Sequence, residues 1–205
     1  MGPVAVGSVN LRSVPLSARR EADKAYVMEQ ERLDMDSIEA VKTAFAGAHM
    51  WFDGTAEDIS AEQANQSPPG VCHPIGALMA HIIQCEDIML STFVMGGKET
   101  LWEREWRAKL GVPLLVDFPA EPDRGVKYDP AALRDYGKAV FAQTDSYLAS
   151  LTPTDLDREL NLTEAGMGKM PVAAFLLTLL VGNTYAHTGE ISALKGVQGA
   201  KGYPF

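Results

Sequence analysis

The residues from Pro171 to about Leu194 predict a long apolar helix that ends at Gly196, with two polar residues on its core-facing side. Its apolar stripe consists of Leu176, Leu179, Leu180, Ile191 and Leu194. Continuing this stripe in steps of three and four residues reaches Asn183 and His187. Side chains four apart share a helix face, with Cβ atoms about 5–6 Å apart. Because buried polar groups are destabilising unless they are satisfied, this pair needs a partner, and a bound metal ion is one such partner.

A second predicted helix supplies a third polar side chain. It begins at Pro74, a favoured first position, and ends at Gly96-Gly97. Its apolar positions are Ile75, Leu78, Met79, Ile82, Ile88, Met89 and Phe93. His81 lies on this stripe. If the two helices pack face to face, His81 meets Asn183 and His187.

Composition limits the class of protein. The chain has 205 residues, is 46% hydrophobic and carries a net charge of −9, which predicts one domain with a sizeable core. The absence of a Lys/Arg run argues against a nucleic-acid partner. The longest apolar run, Val172 to Leu177, is far shorter than the ~20 residues of a membrane span. With no secretory signal and only two cysteines, we expect a reduced, cytoplasmic protein.

The rest of the chain predicts an all-α four-helix bundle. Residues 1–34 form a flexible or weakly helical leader, and residues 35–205 form the bundle domain. The first helix begins at a cap residue, Asp36, and ends near Asp53-Gly54; the third begins at Asp129-Pro130. A long crossover connects the second and third helices, as some bundles allow. It runs from about Gly96 to Tyr128 and carries a short helix near Glu99–Leu110. No segment alternates apolar and polar residues over enough positions to predict a sheet.

Several short motifs together resemble the DinB/YfiT-like superfamily over roughly residues 36–205. They are His73-Pro-Ile-Gly-Ala-Leu-Met-Ala-His81, Glu86-Asp87, His187-Thr-Gly-Glu-Ile and the tail Gly199-Ala-Lys-Gly-Tyr-Pro-Phe205. The resemblance implies a bundle that is often dimeric, and a nickel or zinc site built from three histidines. His81 and His187 match the first and last of these, but Asn183 stands in place of the middle histidine. An amide oxygen suits harder ions, whereas imidazole suits nickel and zinc. Asn183 is therefore either a weak metal ligand or a residue that hydrogen-bonds to a histidine and orients it.

The resemblance also implies a reaction. Members of known activity are transferases or isomerases that use a low-molecular-weight thiol, which the metal would bind and activate as a thiolate. We therefore expect a homodimeric, metal-dependent thiol transferase or hydrolase-type enzyme acting on a small molecule. The alternative is a non-catalytic dimeric bundle with a degenerate site, which binds an apolar ligand or a partner. No catalytic residue is assigned; Glu190 could orient a ligand, act as a base or simply face solvent, and a structural role is favoured.

Other polar residues on these helices have simpler interpretations. An exposed helical face accounts for Glu86 and Asp87, and His73 is interpreted as a cap residue of the second helix. His49 could line the cavity as a replacement ligand, although a partly exposed histidine is the favoured interpretation. Cys85 could be a soft ligand, but a buried, inert cysteine is commoner.

Overall fold

The computed structural model describes residues 37–117, 119 and 121–205. The predicted leader, residues 1–34, and the predicted cap Asp36 lie outside the described residues. Within them the prediction of an all-α bundle is confirmed. The longer helices are α1 (residues 37–56), α3 (Ile75–Met89), α5 (Pro130–Ala149) and α7, which starts at Val172 and ends at Val197. Shorter helices are α2 (Ala61–Asn65), α4 (Trp102–Leu110) and α6 (Pro153–Asp157).

The central helix is α3, which packs against both α5 and α7. Every residue from Ile75 to Asp87 is buried, so this helix has no solvent face over most of its length. With its continuation it is long and apolar enough to cross a membrane, from Ile75 to Val94. However, 78% of its most apolar window is buried inside the fold, which is typical of a core helix. Any polar side chain on α3 therefore needs a partner within the protein.

The crossover between α3 and α5 wraps around α3. Its helix α4 begins at Trp102, later than the predicted Glu99. Trp102 and Trp106 pack against Tyr136 of α5, with ring centroids 6.1 and 5.3 Å apart respectively. The two tryptophans therefore fill the space over the bundle. After α4 the chain is extended and passes along α3.

The predicted start of α5 is confirmed. Asp129 caps the helix because its Oδ1 accepts hydrogen bonds from the backbone N–H groups of Ala131 and Ala132, at 2.9 and 3.3 Å. Pro130 follows at the first helical position, where its missing N–H has no consequence. These signals are local in sequence, which is why they could be recognised.

A small antiparallel hairpin precedes α7, where the sequence predicted no sheet, and that expectation is wrong. Strand β1 (Glu159–Leu162) pairs with β2 (Gly168–Pro171). Leu160 and Leu162 point into the core while their neighbours are exposed. Four residues are too few for this alternation to stand out from a turn-rich sequence.

Three π-helical segments interrupt the regular α-helical geometry in the described part of the chain. They are Leu90–Val94 after α3, Trp102–Trp106 at the start of α4, and Phe175–Val181 within α7. The last of these ends two residues before Asn183. Such segments are rare and often occur at functional sites.

Candidate metal centre and its cleft

Three polar side chains meet where α3 and α7 face each other: His81 is buried, and Asn183 and His187 are half-buried. Nε2 of His81 lies 3.2 Å from Oδ1 of Asn183. The ring of His81 is nearly perpendicular to that of His187, with centroids 4.5 Å apart. The predicted meeting of these residues is confirmed, because the two polar positions of α7 do face α3. That they hold a metal ion stays a prediction.

The hydrogen bonding of His81 defines which ring nitrogen faces the centre. Nδ1 of His81 contacts the backbone carbonyl oxygen of Leu115, in the extended part of the crossover. A carbonyl oxygen can only accept, so Nδ1 carries the hydrogen. The pKa of His81 is lowered, mainly because the side chain is buried. The hydrogen bond to Leu115 opposes this effect, and a charge on His187 adds to it. His81 is therefore neutral near pH 7, with the lone pair on Nε2.

Two acceptor atoms consequently face each other in the centre. Nε2 of His81 and Oδ1 of Asn183 are separated by 3.2 Å, and neither carries a hydrogen in this arrangement. Such a contact is stable if a cation lies near both atoms, or if the amide is turned so that its NH₂ group donates. The centre therefore has the donor chemistry of a cation site.

His187 is oriented by a carboxylate. Its Nδ1 donates to Oε2 of Glu190, 2.8 Å away and one turn further along α7. The side chain of His187 is 21% exposed and that of Glu190 is 57% exposed. The contact orients the ring of His187, and a role of Glu190 beside a metal ligand stays a prediction.

A cleft of about 310 Å³ opens beside the centre. Its walls are formed by Cys72, His73, Leu78, His187, Glu190, Ala193 and Leu194. The interpretation of His73 as a cap residue is wrong, since Pro74 occupies the N-cap position and His73 lines the cleft. Burial lowers the pKa of His73, and a hydrogen bond to the backbone of Pro119 opposes part of this decrease. The cleft thus combines an apolar wall with polar groups at one end.

Cys85 lies beside His81 but is a buried thiol. Its Sγ is 3.6 Å from each ring nitrogen of His81 and donates weakly to the carbonyl oxygen of Val116 at 3.7 Å. Burial raises the pKa of Cys85 to about 12. This buried, protonated thiol is what the interpretation of an inert cysteine describes.

Glu86 is buried, so the prediction of an exposed face is wrong here. Its two carboxylate oxygens both lie 3.0 Å from Nε2 of His49 on α1. The hydroxyl of Thr144 on α5 donates to the same carboxylate at 2.6 Å. Sequence spacing along α3 could not show partners that two other helices provide.

His49 belongs to this buried pair. Its side chain is 9% exposed, so the prediction of a partly exposed histidine is also wrong. Its ring stacks on Phe141, with centroids 3.7 Å apart. The contact with Glu86 directs Nε2 of His49 to this carboxylate and not to the centre.

Asp87 is the second buried carboxylate that was predicted to be exposed. It accepts the backbone N–H groups of Leu101 and Trp102, at 3.1 and 2.7 Å, and the hydroxyl of Tyr136 at 2.7 Å. Burial raises the pKa of Asp87, and these three donors oppose the rise. The carboxylate joins the start of α4 to α3 and α5, which is a structural role.

The donor set of the centre is small. Among residues 37–117, 119 and 121–205, no group of three His, Cys, Asp or Glu side chains is placed to hold a metal ion. The candidate set is two imidazoles and the amide oxygen of Asn183. It fits a divalent ion, with one weaker ligand than three histidines would provide.

Comparisons with known proteins place the chain in a family. No curated protein matches it. A conserved protein from Enterococcus faecalis has a similar structure, with a TM-score of 0.63 at 20% sequence identity, over 77% of this chain and 94% of that chain. This likeness shows the fold alone. The sequence profile of the DinB superfamily matches residues 44–191, which is more than half of the chain. The chain therefore belongs to the DinB superfamily.

Proposed function

We propose that the protein binds one divalent metal ion, nickel or zinc, through His81, His187 and Asn183. The observation that carries the proposal is the hydrogen bonding of the two histidines. Nδ1 of His81 donates to a backbone carbonyl and Nδ1 of His187 donates to a carboxylate. Metal-ligating histidines almost always donate their second ring N–H in this way, which fixes the tautomer and the ring orientation.

The proposed activity is metal-dependent transfer of a thiol, or a hydrolase-type reaction, on a small molecule bound in the cleft. A bound metal ion would deprotonate a coordinating thiol and supply a nucleophile near pH 7. The chain's own residues would position the reactants. Glu190 holds the ring of His187 in place, and Leu78, Ala193 and Leu194 form an apolar wall that keeps water from one side of the substrate.

The first experiment is elemental analysis of protein purified without a histidine tag. We expect close to one zinc or nickel ion per chain, and loss of that ion in His187→Ala. His73→Ala is the matched control, because His73 lines the same cleft but is not one of the three residues of the proposed centre. Undiminished metal in His187→Ala would contradict the proposed site.

A second candidate function is a non-catalytic bundle with a degenerate centre. The contact between His81 and Asn183 favours it, because a turned amide would satisfy the buried imidazole without a metal. This candidate predicts no metal in the purified protein and no rise in melting temperature with added zinc or nickel. A rise would count against it, since a ligand that binds only the folded state stabilises that state.

Dimerisation and a cytoplasmic location stay predictions. Sedimentation velocity at several protein concentrations measures the first. A species with the mass of one chain at all concentrations would contradict a homodimer.

A further inference from the structure

The crossover segment beside the centre is held by polar side chains of α3. Gln84 is fully buried and uncharged, and both ends of its amide bind backbone atoms of this segment. Its Oε1 accepts the N–H of Leu115 at 2.7 Å, and its Nε2 donates to the carbonyl oxygen of Pro113 at 3.1 Å. The amide therefore acts as a hydrogen-bonding partner for a short stretch of extended chain.

The backbone of Leu115 makes hydrogen bonds to α3 through both its N–H and its carbonyl oxygen. Gln84 accepts its N–H, and His81, one helical turn earlier on α3, donates Nδ1–H to its carbonyl oxygen. Gln84 therefore positions the Leu115 carbonyl group, and this carbonyl group selects the tautomer of His81. No sequence pattern indicated this link, because Gln84 and Leu115 are 31 residues apart.

We infer that Gln84 is a positioning residue of the centre, which keeps His81 in the Nδ1–H tautomer by holding the Leu115 carbonyl against it. The part of this inference that concerns metal rests on the proposed function. The part that concerns the tautomer does not.

The alternative tautomer of His81 has an acceptor ready on the other side. With the hydrogen on Nε2, His81 would donate to Oδ1 of Asn183, which is 3.2 Å away. That state satisfies the buried imidazole but removes the Nε2 lone pair that a metal ion needs. The Leu115 carbonyl and Asn183 therefore compete for the single hydrogen of neutral His81, and Gln84 favours Leu115.

The test uses the metal-free full-length protein. Long-range ¹H–¹⁵N NMR spectra report the tautomer of each histidine ring, and His81→Gln identifies the His81 signals by their loss. We expect Nδ1–H in the wild type and a shift towards Nε2–H in Gln84→Met, which has a similar length but cannot hold Leu115. Gln84→Glu keeps an acceptor for the Leu115 N–H and should restore Nδ1–H.

A matched control is available in α5. Gln143 donates to the hydroxyl of Ser91 at 3.3 Å across the bundle, away from the centre. Gln143→Met removes a partly buried polar contact without touching Leu115, and should leave the His81 tautomer unchanged. If Gln84→Met does not fold, Gln84→Asn is the second variant, because its amide is one methylene too short to reach the segment.

Zinc affinity gives an independent readout. Residues that support a ligand typically change metal affinity about 10–100-fold when mutated. We expect a loss of about tenfold in Gln84→Met and none in Gln143→Met. The Nε2–H tautomer in the wild type, or the same tautomer in the wild type and in Gln84→Met (or Gln84→Asn), would overturn the inference. Failure of the wild type to bind zinc would overturn the proposed function instead, and the tautomer result would still decide the role of Gln84.

Discussion

The buried pair formed by Glu86 and His49 leads to a quantitative prediction for Glu86→Leu. In the wild type, the carboxylate accepts from Nε2 of His49 and from the hydroxyl of Thr144. The side chains of Glu86 and His49 are 2% and 9% exposed, so water cannot replace the lost acceptor. Leucine has a similar volume but no acceptor, and two donors are left buried and unsatisfied.

The expected loss in the free energy of unfolding is about 2 kcal/mol. Each of the two unsatisfied buried donors is worth about 1–3 kcal/mol, which together makes a penalty of about 4 kcal/mol. Burial of the leucine offsets roughly 1.5–3 kcal/mol of this penalty. With a urea dependence of about 2 kcal/mol/M, the unfolding midpoint should fall by roughly 1 M.

Urea unfolding followed by circular dichroism measures this effect, and the chain offers a matched control. Glu159 pairs with Lys169 at 2.8 Å, but the two side chains are 62% and 58% exposed. Glu159→Leu should therefore change the midpoint little, because surface ion pairs contribute little to stability. The two substitutions are chemically identical and differ in burial.

The double variant Glu86→Leu/His49→Phe completes the test. This variant removes the His49 donor together with its acceptor and leaves only the Thr144 hydroxyl without a partner, so it should recover about half of the lost stability. It should also keep the metal content of the wild type, since His49 is not part of the centre. An unchanged midpoint in Glu86→Leu, or no recovery in the double variant, would refute the reasoning.

Four further predictions concern the centre, the cysteines and the tail. Asn183→His should bind zinc more tightly, by about tenfold or more, because imidazole replaces an amide oxygen; isothermal titration measures this, and unchanged affinity would mean that position 183 is no ligand. Ellman's reagent at pH 8 should detect one thiol per folded chain, the exposed Cys72, and two after unfolding, because Cys85 is buried. Since burial raises the pKa of Cys85 to about 12, the unfolded thiol ionises first as the pH rises from 9.0; stability should therefore fall over this range and less so in Cys85→Ala. In the C-terminal tail, the rings of Tyr203 and Phe205 pack against Trp51 of α1, with centroids 5.1 and 4.8 Å from it. A Cβ at Gly202 would lie 2.3 Å from Oγ of Ser192 and 2.9 Å from its backbone oxygen. Gly202→Ala should therefore displace the tail from Trp51 and alter the tryptophan fluorescence, and an unchanged spectrum would contradict this packing.

The sequence predictions that were confirmed depend on local signals and on helix periodicity. The start of α5 depends on Asp129 and Pro130, which are adjacent in sequence. The meeting of His81 with Asn183 and His187 depends only on which face of each helix is apolar. Both kinds of information are present in short segments of sequence, so they can be recognised without knowledge of the fold.

The predictions that failed concern residues whose partners are distant in sequence. Glu86 and Asp87 looked exposed because charged residues usually are. They are buried because α1, α4 and α5 supply donors that are 14–58 residues away. The contact between Leu115 and His81 depends on the path of the crossover, which no periodic pattern describes.

The π-helical turn of α7 bears on which changes of chain length the protein can tolerate. A π-helical turn contains one residue more than a regular α-helical turn. The α-helical segments on either side of it keep the same orientation relative to each other. Deleting one residue there, such as the 38% exposed Leu177, lets a regular helix form while both flanks keep their orientation. Deleting Ala186, in the regular part, would instead rotate the two sides of the helix by about 100° relative to each other and separate His187 from Asn183. In related sequences, a gap of one residue is therefore expected just upstream of the centre and not within it.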